Sequence, residues 1–302
     1  IVASSFAHDY GGGVYGGTLY DCWLKGNTAR KWGGGAIYSV LSNCTIEANT
    51  AEWGGGARSS TLHTCRVIGN LATNSGGGVL GGTIYGSELR GNTAFSYGGG
   101  AYGATIYDSQ IANNHALAGG GVGEYCEVHS SILSSNTAQH GGGAGASRLY
   151  SCRLDHNAVT HTGGGASGGA LYNCAVYNNQ AQWGGGTQGS SNWNCSIVAN
   201  TASGSGGGVR LAWSRNCIIY DNDAPTQPNH DGGDTAYSCT TPAIPASGNI
   251  SAMPHLVAPF RLASSSPCLG AGREEYMVGT DLDGELWRIP PAMGCDEPYA
   301  AN

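Results

Sequence analysis

A 302-residue chain with 53 glycines, three phenylalanines and a net charge of −7 lacks the dense cationic surface that nucleic acid demands. No run of 18 apolar residues occurs, so no membrane-spanning helix is expected. Charged residues at 11% and hydrophobic residues at 40% point to a narrow interior filled by Ala, Val, Cys, Ser and Leu.

The chain opens in the middle of a repeat. Val2, Ser5, Ala7 and Gly11 occupy positions that recur along the sequence, with no capping segment ahead of them. An uncapped strand edge is a template for pairing. Two expectations follow: residues upstream belong to the natural protein, or this end docks onto another molecule, head to tail into a fibre. The N-terminal stretch does not carry the pattern of a secretory signal.

From there, ten glycine triplets begin at Gly11, Gly33, Gly54, Gly76, Gly98, Gly119, Gly141, Gly163, Gly184 and Gly206, a spacing of 21 or 22 residues. Such a short fixed period marks a repeat protein. Each unit also carries an asparagine three residues after an apolar position: Asn27, Asn49, Asn70, Asn92, Asn114, Asn136, Asn157, Asn179, Asn200 and Asn222. Two residues before the apolar position stands a small side chain, as in Cys22, Cys44, Cys65, Ser87, Ser109, Ser131, Cys152, Cys174, Cys195 and Cys217. Cys22/Leu24 and Cys44/Ile46 are two apart, with polar Asp21 and Asn43 on the other side, which is the period of a strand. Consecutive glycines exclude a helix, at about 1 kcal/mol each relative to alanine. The expected fold is all-β: a single-stranded parallel β-helix of about ten coils over residues 1–224, with equivalent side chains stacked about 4.8 Å apart. Stacked asparagines would form an amide ladder at a turn.

The coil from Val122 to Ser131 holds one extra residue, with Glu124 and Glu127 inside it and Arg148, Arg153, Asp155 and His156 one coil on. Irregularities are where functional features tend to sit. Yet acidic residues are sparse in the repeats, so no catalytic residue is assigned. After Asn222 prolines accumulate, and residues 225–302 are expected to be a loop-rich cap packed on the last coil. Within it, Asp281 and Asp283 resemble the opening of a calcium loop but lack its later ligands. Two readings stand, turn-capping carboxylates or Ca²⁺ ligands, and no other cofactor is expected.

The repeated I/L/V-x-x-N and G-G-G-A/V elements resemble the repeats of the chlamydial polymorphic outer-membrane proteins, and more widely those of bacterial surface and secreted β-helix proteins. The tail Ser266-Pro267-Cys268-Leu269-Gly270-Ala271-Gly272, Asp281-Leu282-Asp283-Gly284, Arg288 and Met293-Gly294-Cys295-Asp296-Glu297 is similar to the ending of many such extracellular proteins. The resemblance implies a right-handed β-helix and a secreted or cell-surface location. The chain uses Leu, Ile or Val where those repeats carry Phe, and no translocator barrel is visible.

Eleven cysteines admit three readings: a reduced ladder of small apolar residues, bridges between neighbouring coils, or a metal site. The absence of C-x-x-C pairs speaks against the metal. Cys268 and Cys295 are the expected disulfide of an exported protein. Two outward rows are aromatic. One runs Tyr20, Ser42, His63, Tyr85, Tyr107, His129, Tyr150, Tyr172 and Trp193; the other includes Tyr10, Trp32, Trp53, Tyr97 and Trp183. They serve either as covers over the turns or as platforms for sugar rings, and Trp32, Trp53, Tyr85, Tyr107, Tyr150, Tyr172 and Trp183 are the ligand-binding candidates. Asn43-Cys44-Thr45, Asn194-Cys195-Ser196 and Asn249-Ile250-Ser251 match the glycosylation triplet, the first two as by-products of the repeat.

Two functions are therefore expected. One is an extracellular structural or adhesive β-helix, assembling through its ends or binding a polysaccharide. The other is a carbohydrate-active enzyme of the lyase or glycoside hydrolase type, a reaction that needs clustered carboxylates or Ca²⁺ with a base.

Overall fold

The computed structural model describes residues 1–298. It comprises two compact units, Ile1–Ser147 and Arg148–Asn302. Each is a parallel β-solenoid, and together they make about 11 turns of ~22 residues.

In the first unit a turn has three sides. Trp23–Lys25 forms the first, Thr28–Ala29 the second, and Ala36–Ile37 with Val40–Ser42 the third. Each side pairs in parallel with its equivalent one turn on: Leu24 with Ile46, Thr28 with Thr50, Ala36 with Ala57, Leu41 with Leu62. Alternation decides which residues face inward. Leu24 is fully buried between exposed Trp23 and Lys25, and Ile46, Val67, Leu89 and Ile111 bury in the same column.

The corners explain the conserved spacing of glycine and asparagine within the chain. The corner between the third and first sides is left-handed, at Asp21, Asn43, Thr64 and Asp108, residues whose φ lies between 49 and 52°. Asn and Asp tolerate that region best among residues with a side chain. At the next corner Asn27 accepts nothing from solvent. The Asn49 Oδ1 takes both the Asn27 backbone N–H at 2.9 Å and the Asn27 Nδ2 at 3.0 Å, while Asn27 Nδ2 also donates to Val2 O at 3.0 Å. The pattern repeats through Asn70, Asn92 and Asn114 to Asn136. The glycine triplet lies over this ladder. A Cβ on Gly34 would sit 2.3 Å from Gly55 O and 2.5 Å from Thr50 O. Backbone meets backbone there, so only glycine fits.

The Cys/Ser column is interchangeable for a visible reason. The Ser87 hydroxyl accepts the Cys65 N–H at 2.9 Å and donates to Tyr85 O at 2.8 Å. Cys44 Sγ accepts the Cys22 N–H at 3.4 Å and lies 3.3 Å from Ser42 O. Either side chain bridges one turn to the next. Burial pushes the Cys65 thiol up to about 11, so it stays protonated at neutral pH.

The second unit uses the same frame. Arg153–Asp155, Ala175–Tyr177, Ser196–Val198, Ile218–Tyr220 and Cys239–Thr240 pair in parallel succession. Its asparagine ladder runs from Asn157 through Asn179, Asn200 and Asn222 to Asn229. Here the structure corrects the expected boundary at 225. His230–Ala236 pairs along Val209–Arg215, Cys239 pairs with Ile218, and Ile250 bridges Cys239. Residues 225–250 therefore build a further turn, hidden in the sequence because Asn229 follows Asn222 by seven residues rather than 21 or 22.

The remaining tail runs back along the flank of the coils. The left-handed corner residues Asn216, Asn194 and Asn173 hold it one after another. Asn216 Nδ2 donates to Arg273 O at 2.8 Å, Asn194 Nδ2 to Tyr276 O at 2.8 Å, and Asn173 Nδ2 to Val278 O at 2.6 Å and Thr280 O at 2.7 Å. Asn194 is fully buried, which removes the Asn194-Cys195-Ser196 triplet from any modifying enzyme once the protein has folded.

All eleven cysteines are free thiols. The expected Cys268–Cys295 bridge is thus not formed. Cys268 packs with Cys239, Val198, Ile218 and Met293, whereas Cys295 packs with Ala175 and Phe260. The tail carries the two cysteines to different places because each follows its own coil contact: Cys268 packs on Val198, Ile218 and Cys239, while Cys295 N donates to Ser196 Oγ at 3.2 Å.

Candidate functional site

The aromatic row of the first unit becomes a stack. His63, Tyr85, Tyr107 and His129 have ring centroids 4.9, 5.2 and 4.8 Å apart, with planes inclined by 4, 8 and 15°. In the second unit Tyr150, Tyr172 and Trp193 stack at 4.9 and 4.7 Å with planes inclined by 7 and 9°. Strand register imposes this, since Tyr85 pairs with Tyr107 and Tyr150 with Tyr172 one spacing away. In both stacks the rings face one another. Tyr85, Tyr107, Tyr150 and Tyr172 therefore offer edges and hydroxyls outward, while most of their faces are occupied.

The second row is built differently. Trp32 and Trp53 lie 5.7 Å apart at 25°. The Arg58 guanidinium sits 3.9 Å from the Trp32 ring centre and donates to the Tyr38 hydroxyl at 3.4 Å. Tyr38 in turn meets Tyr15 edge to face at 5.9 Å. Both tyrosines are strongly exposed, at 52% and 66%. Trp53, Trp32, Arg58, Tyr38 and Tyr15 form one continuous surface of rings around a cation. Trp183, in the second unit, has the Arg210 guanidinium 5.0 Å from its ring centre and packs on Gly204, where a Cβ would lie 2.6 Å from the ring. Sequence reasoning passed over Tyr15, Tyr38 and Arg58. Their signal was a position one or two residues past each triplet-following residue, where rings and a cation stand on three successive turns.

The acidic candidates divide by unit. In the first, Glu127 pairs with His129 at 3.1 Å. In the second, Asp155 receives the Tyr177 hydroxyl at 3.0 Å and His156 Nδ1 at 3.1 Å. Burial and the neighbouring Asp155 push the Tyr177 phenol up to about 12. The tail lies against this group: Tyr177 touches Phe260 at 5.8 Å, and Arg153 lies 5.0 Å from the Phe260 ring and 3.6 Å from Asp283. Arg153, Asp155 and Tyr177 are a seat for the tail.

Asp281 and Asp283 serve the same docking. Asp281 Oδ1 accepts the N–H groups of Asp283 at 3.1 Å and Glu285 at 2.8 Å, and its Oδ2 accepts that of Glu297 at 3.2 Å. Asp283 is bound by Arg261 and Arg153. Among the described residues no group of three or more His, Cys, Asp or Glu side chains is arranged to hold a metal ion.

Asp296 is the exception to this satisfied network. It is 1% exposed, and neither carboxylate oxygen has a hydrogen-bond partner; Arg261 Nη1 stands off at 3.7 Å. Burial pushes its carboxyl up to about 7, opposed by Arg261 and reinforced by Asp283, Asp281 and Glu285. A folded pKa above the unfolded one means that stability is fullest below about pH 4 and falls as pH rises through about 7. Asp296→Asn, which keeps the shape without the charge, is expected to gain on the parent over that window, by on the order of 2 kcal/mol at pH 8. Thermal unfolding of both proteins from pH 4 to pH 8 measures it; a gap independent of pH would show that Asp296 stays ionised.

No protein-family model, curated protein or solved structure matches the chain.

Proposed function

We propose that this protein is an extracellular structural and adhesive β-solenoid, secreted or displayed at the cell surface, that holds a polysaccharide on the aromatic face of its first unit. One observation carries the reading: Trp53, Trp32, Arg58, Tyr38 and Tyr15 make a continuous surface on adjacent turns, with Tyr38 and Tyr15 exposed and Trp32, Trp53 and Arg58 half-buried beside them. Apolar C–H faces of sugars pack on such rings, and aromatic pairs and cations of this kind dominate contact energies. Arg58 adds a charge suited to a carboxylate-bearing sugar. The scaffold beneath is regular and built from small residues, as suits a rigid presenting surface. The likeness of the repeats and tail to bacterial surface and secreted β-helix proteins supports the location.

The test is binding to a panel of neutral, N-acetylated and uronic-acid polysaccharides by affinity electrophoresis. The parent is expected to be retarded by at least one of them. Trp32→Ala combined with Trp53→Ala should weaken that binding by about tenfold or more, the equivalent of one hot-spot residue. Release of unsaturated or reducing ends during the same incubations would instead favour the lyase or hydrolase reading.

A further inference from the structure

The stacked row of the first unit has one ring missing. Tyr20 pairs with Ser42, and Ser42 pairs with His63. From His63 onward every turn contributes a ring, at steps of 4.9, 5.2 and 4.8 Å. One turn of the coil thus equals one ring-to-ring step. Two such steps, about 9.6 Å by the strand spacing, separate the positions of Tyr20 and His63. Between them Ser42 supplies only a hydroxymethyl floor. Tyr20 is 67% exposed against 39% for Tyr85 within the stack, as expected for a ring with no neighbour on the adjacent turn.

We propose that the gap over Ser42, bounded by Tyr20 and His63, is a binding slot for a single pyranose ring. The inference rests on the saccharide-binding reading above and names a subsite for it. Two features choose the occupant. Both walls are aromatic, and their electron-rich faces attract C–H groups. The rim is polar. The Ser42 hydroxyl forms the floor, and the corner beside it carries Asp21 and Asn43, joined from Asn43 Nδ2 to Asp21 Oδ1 at 2.6 Å. On the other flank the strand register brings Thr18 and Thr61 to either side of Val40. A ring with apolar faces and a hydroxylated edge complements walls and rim together, whereas a plain aromatic would leave the rim to water.

Ser42→Tyr tests the slot by completing the stack with the residue that the row already carries at Tyr85 and Tyr107. Ser42→Ala, which keeps the gap open, is its control. Saturation-transfer NMR and calorimetry would be run with monosaccharides and disaccharides of the neutral, N-acetylated and uronic classes, with phenol and indole as flat aromatic probes. The expected result is saccharide binding by the parent, retention in Ser42→Ala, and weakening by about tenfold or more in Ser42→Tyr, with an unchanged far-ultraviolet spectrum. Undiminished binding by Ser42→Tyr would overturn the slot and leave the wider reading intact, the more so if Trp32→Ala and Trp53→Ala abolish that binding. Phenol or indole competing at equal affinity would overturn the pyranose assignment. A parent that binds no saccharide would overturn both.

Discussion

Asn70→Ala is expected to destabilise the first unit by about 3–5 kcal/mol, one of the largest effects available to a single side chain here. Asn70 is buried and serves two neighbouring turns. Its Oδ1 accepts the Asn49 N–H at 2.9 Å and Asn49 Nδ2 at 3.0 Å. Its Nδ2 donates to Ile46 O at 2.8 Å and to Asn92 Oδ1 at 2.9 Å. Alanine removes all four bonds and strands the Asn49 N–H without a partner or water. Each buried group left unmade costs about 1–3 kcal/mol, partly relieved where Asn49 Nδ2 still reaches Leu24 O at 2.9 Å. Asn113→Ala is the control. Asn113 is exposed with φ of 56°, so it loses only left-handed tolerance, about 1–2 kcal/mol. Guanidinium unfolding followed by circular dichroism compares the two. Hydrogen exchange then locates the effect, since a stack of turns can open locally. Equal destabilisation by both substitutions would mean that the ladder adds nothing beyond turn geometry.

Gly55→Ala is expected to be at least as severe, with loss of soluble folded protein or more than about 3 kcal/mol of stability. A Cβ there would lie 2.3 Å from Leu71 O, 2.5 Å from Leu71 C and 2.6 Å from Gly77 O. Every obstacle is backbone of the turn stacked on it, and no side chain can swing away. Relief would require widening the turn spacing, which lengthens the ladder bonds on both sides. Gly91→Ala separates this packing effect from backbone conformation. Gly91 has φ of +64° with nothing within 4 Å of an added Cβ, so its cost is only the left-handed penalty of about 1–2 kcal/mol. Soluble yield and melting temperature of the two variants measure the contrast. If Gly91→Ala proved the more damaging, the triplets would be conformational hinges rather than points of closest approach.

How far the sequence could be read follows from these same residues. The Leu24, Asn27 and Gly33 columns were legible because each turn faces the same environment as the one before it. Selection for that environment is written once per 21 or 22 residues, so a simple alignment of the chain with itself exposes the strands, the inward face and the asparagine ladder. The aromatic row was legible as a row. Its consequence was not: that Tyr85 and Tyr107 turn their faces to each other, leaving the unstacked positions beside Ser42 more open than the stacked ones, is a matter of ring orientation. Likewise Arg58 reads as an isolated cation until its guanidinium is seen against Trp32.

The tail marks the limit. Its contacts join residues 57 to 107 positions apart, as in Asn216 with Arg273 and Asn173 with Thr280, and they follow no period. Nothing in Ser266–Glu297 taken alone says that three corner asparagines would grip its backbone, that Cys268 would meet Cys239, or that Asp296 would be buried without a hydrogen bond. By itself, then, the amino-acid order determined the coil, its inward face and its ladders, because those depend on short-range geometry repeated at every turn. The tertiary structure alone decided where the tail lies, which cysteines meet and which rings remain open, because these depend on one-off contacts between distant segments whose free energy is settled only when the segments are packed together.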